Sequence, residues 1–204
     1  MGQCTSIEAD DLSELLILTS FKEDDLKRWY TRFIQDYPEG YLNEDEFHDI
    51  YSTIYNTSFC NHFAKHIFRS FDKDNDGVLS FKELMVAMSV ASHGTSREKL
   101  ELAFNVYDIN GTGRVTLDDV RHVIVCIQNN LRRRTSSFVS LKVNDKEVRE
   151  MFEAVDVHSR GYWTVDEFIE GMDVNPAFVR MLYTAPTSNR QKQMNKRKKW
   201  VSTI

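Results

Sequence analysis

The chain has 204 residues, a formal net charge of −5 and 41% hydrophobic residues, enough apolar material for one or two cores. No segment approaches the roughly 20 consecutive apolar residues of a membrane span, and no secretory signal pattern opens the chain. No basic recognition face is present for nucleic acid, no phosphate-cradling glycine loop or nucleophile motif points to an enzyme, and three cysteines without metal-ligand spacing (Cys4, Cys60, Cys126) fit a reducing compartment.

The chain opens Met1-Gly2-Gln3-Cys4-Thr5-Ser6, the N-myristoylation pattern with Gly2 as acceptor and Ser6 in the sixth position. One acyl chain holds a membrane only marginally, with an association constant on the order of 10⁴ M⁻¹. Cys4 is either a neighbouring palmitoylation site or a plain thiol. Apolar residues at helical spacing follow, Leu26, Trp29, Tyr30 and Phe33, then Phe47, Ile50, Tyr51 and Ile54. Between them a glycine-centred loop runs through Gln35, Tyr37, Glu39, Gly40, Tyr41, Asn43 and Glu46. Neutral Gln35, bulky Tyr37 and the missing amide donor of Pro38 make this first loop a structural one, expected to hold no metal.

A second helix pair is marked by Ala64, Ile67, Phe68 and Phe71, then Leu84, Ala87, Met88 and Ala91. His62 and His66 share one face of the entering helix without the intervening acid of a metalloprotease motif, and read as a solvated face. The intervening stretch from Asp72 to Glu83 is a complete EF-hand calcium loop. Calcium takes six to eight oxygen ligands, and this loop supplies them at the required offsets from Asp72, Asp74, Asp76, the Val78 carbonyl, Ser80 and a bidentate Glu83. Gly77 stands where the chain must turn sharply. Beyond it, Gly94 breaks the chain between the two halves, and Thr95 with Glu98 forms a capping box that restarts a helix.

The third pair carries Leu100, Ala103, Phe104 and Tyr107, then Val120, Val123, Ile124 and Ile127. Its loop presents Asp108, Asn110, Thr112, the Arg114 carbonyl, Thr116 and Asp119 around Gly113. Asp119 is one methylene shorter than Glu and Thr112 is neutral, so the loop suits either weak Ca²⁺ or six-coordinate Mg²⁺. In the following linker, Arg132-Arg-Arg-Thr-Ser-Ser137 is either a basic-directed kinase site at Ser136 or an unmodified loop. The fourth pair has Val148, Met151, Phe152 and Val155, then Val165, Phe168, Ile169 and Met172. Its loop keeps Asp156 and Glu167 but sets His158 and Arg160 at ligand positions, where a cation repels the metal, so it too is expected to be empty.

Residues 174–204 hold seven basic residues and no acid, leaving a net −12 on the rest. That tail, which includes Trp200, suits anionic lipid headgroups, a fold back onto the acidic body, or solvent. Ser202-Thr203-Ile204 has the form of a PDZ ligand.

The expected fold is all-α: four EF-hands in two paired lobes, with short β-bridges between paired loops. The expected organisation is a lipidation segment at 1–20, EF-hand pair 1–2 at 21–91, a hinge at 92–97, EF-hand pair 3–4 at 98–175 and a basic tail at 176–204. From residue 1 to about 185, the Gly2 signal, Trp29-Tyr30 before Asp36-Tyr37-Pro38-Glu39-Gly40, the strong second loop and Gly94-Thr-Ser-Arg-Glu-Lys-Leu100 resemble the neuronal calcium sensor family, frequenin-like and guanylate-cyclase-activator-like members among them. Tyr37 replaces the cysteine of the family's Cys-Pro pair, and Asp119, Arg160 and the basic tail also depart from its pattern. The resemblance implies a lipidated, cytoplasmic, peripheral membrane Ca²⁺ sensor that offers a hydrophobic groove to a helix of a membrane-associated target. A metal-stabilised adaptor or ion-channel auxiliary subunit, little changed by calcium, and a passive buffer are the other readings.

Overall fold

A computed structural model of the chain describes residues 6–55, 61–132 and 145–174. The expected acylation sites Gly2 and Cys4, the Ser136 segment and the basic tail lie outside them. The described residues form nine α-helices and four two-residue strands. The expected repeat is present: α2 (Glu23–Asp36), β1 (Tyr41–Leu42) and α3 (Glu44–Tyr55) form hand one, and α4 (Asn61–Phe71), β2 (Leu79–Ser80) and α5 (Phe81–His93) form hand two. α6 (Ser96–Tyr107), β3 (Val115–Thr116) and α7 (Leu117–Arg132) form hand three, and α8 (Asp145–Val155), β4 (Tyr162–Trp163) and α9 (Val165–Val174) form hand four.

The hands pair through their loops. β1 and β2 run antiparallel with Tyr41 opposite Ser80 and Leu42 opposite Leu79; β3 and β4 do the same with Val115 opposite Trp163 and Thr116 opposite Tyr162. Each strand sends one apolar side chain inward, and Leu42, Leu79, Val115 and Trp163 are fully buried. The two bridges therefore pin the loops above the cores on which the helices converge.

Helical periodicity explains what fills those cores. Leu26, Trp29 and Phe33 on α2 meet Phe47 and Tyr51 on α3, Phe63, Phe68 and Phe71 on α4, and Phe81, Leu84 and Met85 on α5. Rings meet edge-on or tilted, as in Phe47–Phe68 at 5.7 Å and Phe33–Phe81 at 5.4 Å, the arrangement that aromatic quadrupoles favour. In the second lobe Trp163 stacks on Phe152 at 4.7 Å and donates its indole N–H to the Phe152 carbonyl at 3.0 Å, so the ring's one polar group is satisfied in the core.

No helix is predicted over residues 9–18, yet α1 (Ala9–Leu18) forms there. Asp10 and Asp11 sit in its first turn, where negative charge suits the helix dipole, and Leu12 and Leu15 are its buried face. It lies on α5 and α2, tied by a Lys82–Glu14 pair at 2.5 Å and a Ser20 N–H that donates to the Ser89 hydroxyl at 2.9 Å. Its other face leaves Ile17 83% exposed.

Between the lobes, α5 ends at His93 and α6 begins at Ser96. Thr95 accepts from the Glu98 amide at 3.2 Å, and Glu98 accepts from the Thr95 amide at 2.7 Å, the capping box expected from the sequence. A side chain at Gly94 would meet the Val90 carbonyl oxygen at 2.5 Å, so close approach to the last turn of α5 requires glycine there. One expectation is corrected: His66 is buried rather than solvated, because its face of α4 packs across the lobe boundary, edge-to-face with His122 of α7 at 5.4 Å.

Candidate metal centre

The four loops share one device at their exits. In each, the residue at position 9 and the acid at position 12 are the N-cap and third helical residue of the exiting helix. Ser80 accepts from the Glu83 amide at 3.2 Å while Glu83 accepts from the Ser80 amide at 3.0 Å. Asn43 with Glu46, Thr116 with Asp119 and Thr164 with Glu167 repeat the exchange. This reciprocal cap satisfies two amide donors that the helix leaves open. The acid at position 12 thus has work even without a metal, which accounts for its presence in loops one and four.

Loop two is built for a cation. α4 ends at Phe71, so Asp72 stands just past the helix with its carboxylate turned into the loop. Asp72 Oδ2 accepts from the Gly77 amide at 3.1 Å, but its buried Oδ1 has no hydrogen-bond partner. Oxygens of Asp72, Asp74 and Asp76 lie within 4.8 Å of one another. Glu83 reaches across the ring, with Oε1 accepting from the Lys73 amide at 2.9 Å. Gly77 takes φ +85°, the left-handed conformation that a side chain would strain. Burial pushes the Asp72 carboxyl above its ordinary value, Glu83 and Asp76 push the same way, and the Gly77 and Asn75 amides oppose them. Burial alone would raise Glu83 as well, but donors from Ser80, Lys73 and Asp74 bring it below the ordinary value. A buried, unpaired acceptor among carboxylates that repel one another is the local cost that a divalent cation removes. The residues therefore fit calcium.

Loop three has the same frame and a shorter arm. Asp108 accepts from the Gly113 amide at 2.7 Å and the Thr112 amide at 3.0 Å. The Thr112 hydroxyl lies 3.4 Å from Asp108 Oδ1 and 3.3 Å from the Arg114 carbonyl, so three of the predicted ligand positions converge. Asp119 places Oδ2 on the Thr116 amide at 2.8 Å and hydroxyl at 2.6 Å. Where Glu83 receives the position-2 amide, the corresponding amide of Ile109 turns back to the Tyr107 carbonyl at 2.8 Å. Asp119 is one methylene shorter than Glu83, and the Val157 amide of loop four turns back in the same way, to the Val155 carbonyl at 2.8 Å.

Loops one and four are closed by their own side chains. α2 runs through Asp36 and takes Gln35 into the helix, while the Tyr37 ring packs on Phe33 at 5.5 Å. In loop four, Arg160 Nη2 lies 2.6 Å from Glu167 Oε2 and His158 Nδ1 lies 2.9 Å from Oε1. Burial would raise the Glu167 carboxyl, but Thr164, His158 and Arg160 hold it down to about 2. The guanidinium stands in for a metal charge. Arg160 also lies 5.0 Å from the centroid of the Tyr162 ring, which Arg114 of loop three approaches to 4.6 Å. The sequence signalled the misplaced charge of Arg160, but not its reach to Glu167 or the shared tyrosine.

Paired helix–loop–helix units with a carboxylate-ringed loop define an EF-hand calcium-binding protein. Comparison with known proteins agrees, since the EF-hand domain pair family matches residues 97–173 and the EF hand domain family matches residues 63–90. Recoverin from Homo sapiens is 30% identical over 202 residues, covering 96% of this chain and all of recoverin. S-modulin from Aquarana catesbeiana is 30% identical across 97% of the chain, and visinin from Gallus gallus 29% identical across 91%. The chain belongs to the neuronal calcium sensor family, and it is a calcium sensor.

Proposed function

We propose that this sensor takes Ca²⁺ chiefly at loop two and more weakly at loop three, and that it regulates a membrane-associated protein. The carrying observation is the buried Asp72 Oδ1, without a hydrogen-bond partner inside a ring of carboxylates. Asp72, Asp74, Asp76, the Val78 carbonyl, Ser80 and Glu83 would hold the ion in loop two. Asp108, Asn110, Thr112, the Arg114 carbonyl, Thr116 and Asp119 would do so in loop three, where Mg²⁺ competes because the short Asp119 favours six-coordination. A bound ion supplies the positive charge that these oxygens lack.

Glu83 is the lever of the mechanism. It is at once a ligand candidate and the third residue of α5, so a change in its hydrogen bonds to Lys73 and Ser80 moves the start of that helix. α5 carries Leu84, Met85 and Ala87 against the aromatic core, and α1 rests on its outer side. Separation of α5 from α4 would expose Phe33, Phe68 and Phe81 as a groove for an amphipathic helix.

The sensor is cytoplasmic and peripheral to the membrane on this reading, acylated at Gly2 with Cys4 or the basic tail as second anchor. The carboxyl terminus offers a PDZ ligand, and the protein is not an enzyme. No helix among the described residues is long and apolar enough to cross a membrane. The closed, self-neutralised loop four favours the second reading, an adaptor or channel subunit that calcium barely alters.

Fluorescence of a hydrophobic dye separates the two. A sensor shows increased emission in calcium over magnesium alone, abolished in Asp72→Ala. An adaptor shows equal emission in both metals. Vesicle sedimentation of acylated protein against Gly2→Ala tests the anchor, and equal sedimentation would remove it.

A further inference from the structure

Hands two and three belong to different lobes, yet one side chain joins their loops. Arg69 sits on α4 three residues before Asp72, and its Nη1 donates to the carbonyl of Ile109, the second residue of loop three. Its Nη2 lies 3.4 Å from where a Cβ would stand on Gly111, the fourth residue of that loop, at φ +63°. Ile109 lies two residues beyond the last residue of α6, so the guanidinium also stands near the negative end of that helix. Among the described residues no carboxylate forms a salt bridge with Arg69. The contact is therefore a grip on the loop backbone.

The surroundings make the grip stiff. α4 lies against both α6 and α7, the two helices of hand three. One turn before Arg69, His66 is buried with its ring edge-to-face with His122 of α7. α4 therefore enters the strong loop while touching both helices of the weaker one. A rigid helix that ends one residue before Asp72 carries any reorientation there to Arg69 one turn away.

We propose that Arg69 is a positioning residue that couples the two loops, so that filling loop two sets the backbone of Ile109 and Gly111 and strengthens metal binding at loop three. The inference rests on calcium entering loop two. Filling loop two fixes the end of α4 and with it the donor to Ile109, so loop three has less ordering left to supply when its own ion arrives. By reciprocity an ion in loop three strengthens loop two by the same factor, typically about 5- to 150-fold for couplings of this kind. Arg69 touches no ligand position itself, and its charge alone would weaken loop three whatever the state of loop two.

The test is NMR of the full chain carrying Asp119→Ala, so that loop two alone is titrated with calcium. The amide of Gly77 reports loop two and that of Gly111 reports the coupling. With Arg69 present both amides shift together; with Arg69→Met only Gly77 shifts. Arg69→Lys keeps the charge but not the two-nitrogen reach, gives a reduced Gly111 response, and serves alone where the Met variant does not fold. Gly77 shifting with an undiminished Gly111 response in the variants overturns the coupling while leaving calcium binding intact. An unmoved Gly77 overturns the calcium reading and the coupling with it. As a second readout, loop-three affinity with and without Glu83→Gln should differ at least about fivefold in the parent and not at all in Arg69→Met.

Discussion

Arg160→Asp should convert loop four from a self-closed turn into a metal site. The substitution removes the guanidinium 2.6 Å from Glu167 and sets a carboxylate at the fifth loop position, beside Asp156 and Glu167. The Glu167 side chain is only 9% exposed and that of Arg160 37%, so the pair lies between a surface ion pair and a buried one. His158 and Thr164 still donate to Glu167, which keeps the loss below that of a fully orphaned charge. The expected cost in chelator is about 2 kcal/mol, between the ~0–1 of exposed pairs and the ~3–5 of a broken buried one. At ~2–4 °C per kcal/mol for a chain of this size, Tm falls by about 4–8 °C. With calcium at a hundred times Kd, binding returns about 2.7 kcal/mol and the melting temperature recovers. Arg160→Met is the control, because it loses the cation without gaining a ligand, and should melt below the parent by the same margin with or without calcium. Calorimetric titration of Arg160→Asp should show one binding event more than the parent. An unchanged stoichiometry together with an unchanged Tm in chelator would refute the idea that the guanidinium holds this loop shut.

In loop three, Asp119→Glu restores the methylene that lets Glu83 reach the second loop residue, and calcium affinity there should rise tenfold or more, about 1.4 kcal/mol; an unchanged titration would mean that the loop is not used. A pH dependence follows from Glu167, whose carboxyl is held at about 2 against an ordinary 4.5. A lowered carboxyl value contributes stability that is complete above pH 4.5 and lost as pH falls towards 2; with His158 largely exposed, about 1–3 kcal/mol is at stake. Denaturant melts of the parent and Glu167→Gln in chelator should differ most at pH 5 to 6 and converge by pH 2, and a gap constant with pH would contradict this. A Cβ on Gly171 of α9 would meet Val155 Cγ2 at 2.6 Å, so Gly171→Ala should cost about 1–3 kcal/mol of overpacking, less up to ~1 regained in helix propensity. In a Val155→Ala background the further loss from Gly171→Ala should vanish, as thermal melts would register.

Local rules made the hands legible. Apolar spacing located the helices of all four, and the offsets of Asp72, Asp74, Asp76, Gly77 and Glu83 identified the loop that carries a buried, unpaired oxygen. The Thr95–Glu98 box is likewise a matter of four consecutive residues. What escaped depends on partners distant in the chain. His66 reads as a polar residue on a helix face until α7 covers it. α1 has only two buried leucines, and its place is fixed by Lys82 and Ser89 far along the chain. The grip of Arg69 on Ile109 spans forty residues and ends on a backbone carbonyl, which no side-chain motif records. For Arg160 the sign of the charge was legible but not its destination, because reach and rotamer depend on how the loop folds.

The most direct test of a sensor centred on loop two is calorimetric calcium titration of the acylated protein in millimolar magnesium, beside the same protein with Asp72→Ala. One strong event and one weaker one are expected in the parent, with the strong event abolished by the substitution because Asp72 supplies the buried oxygen. A parent that releases no heat above the magnesium background, or an Asp72→Ala protein that titrates as the parent does, would contradict it.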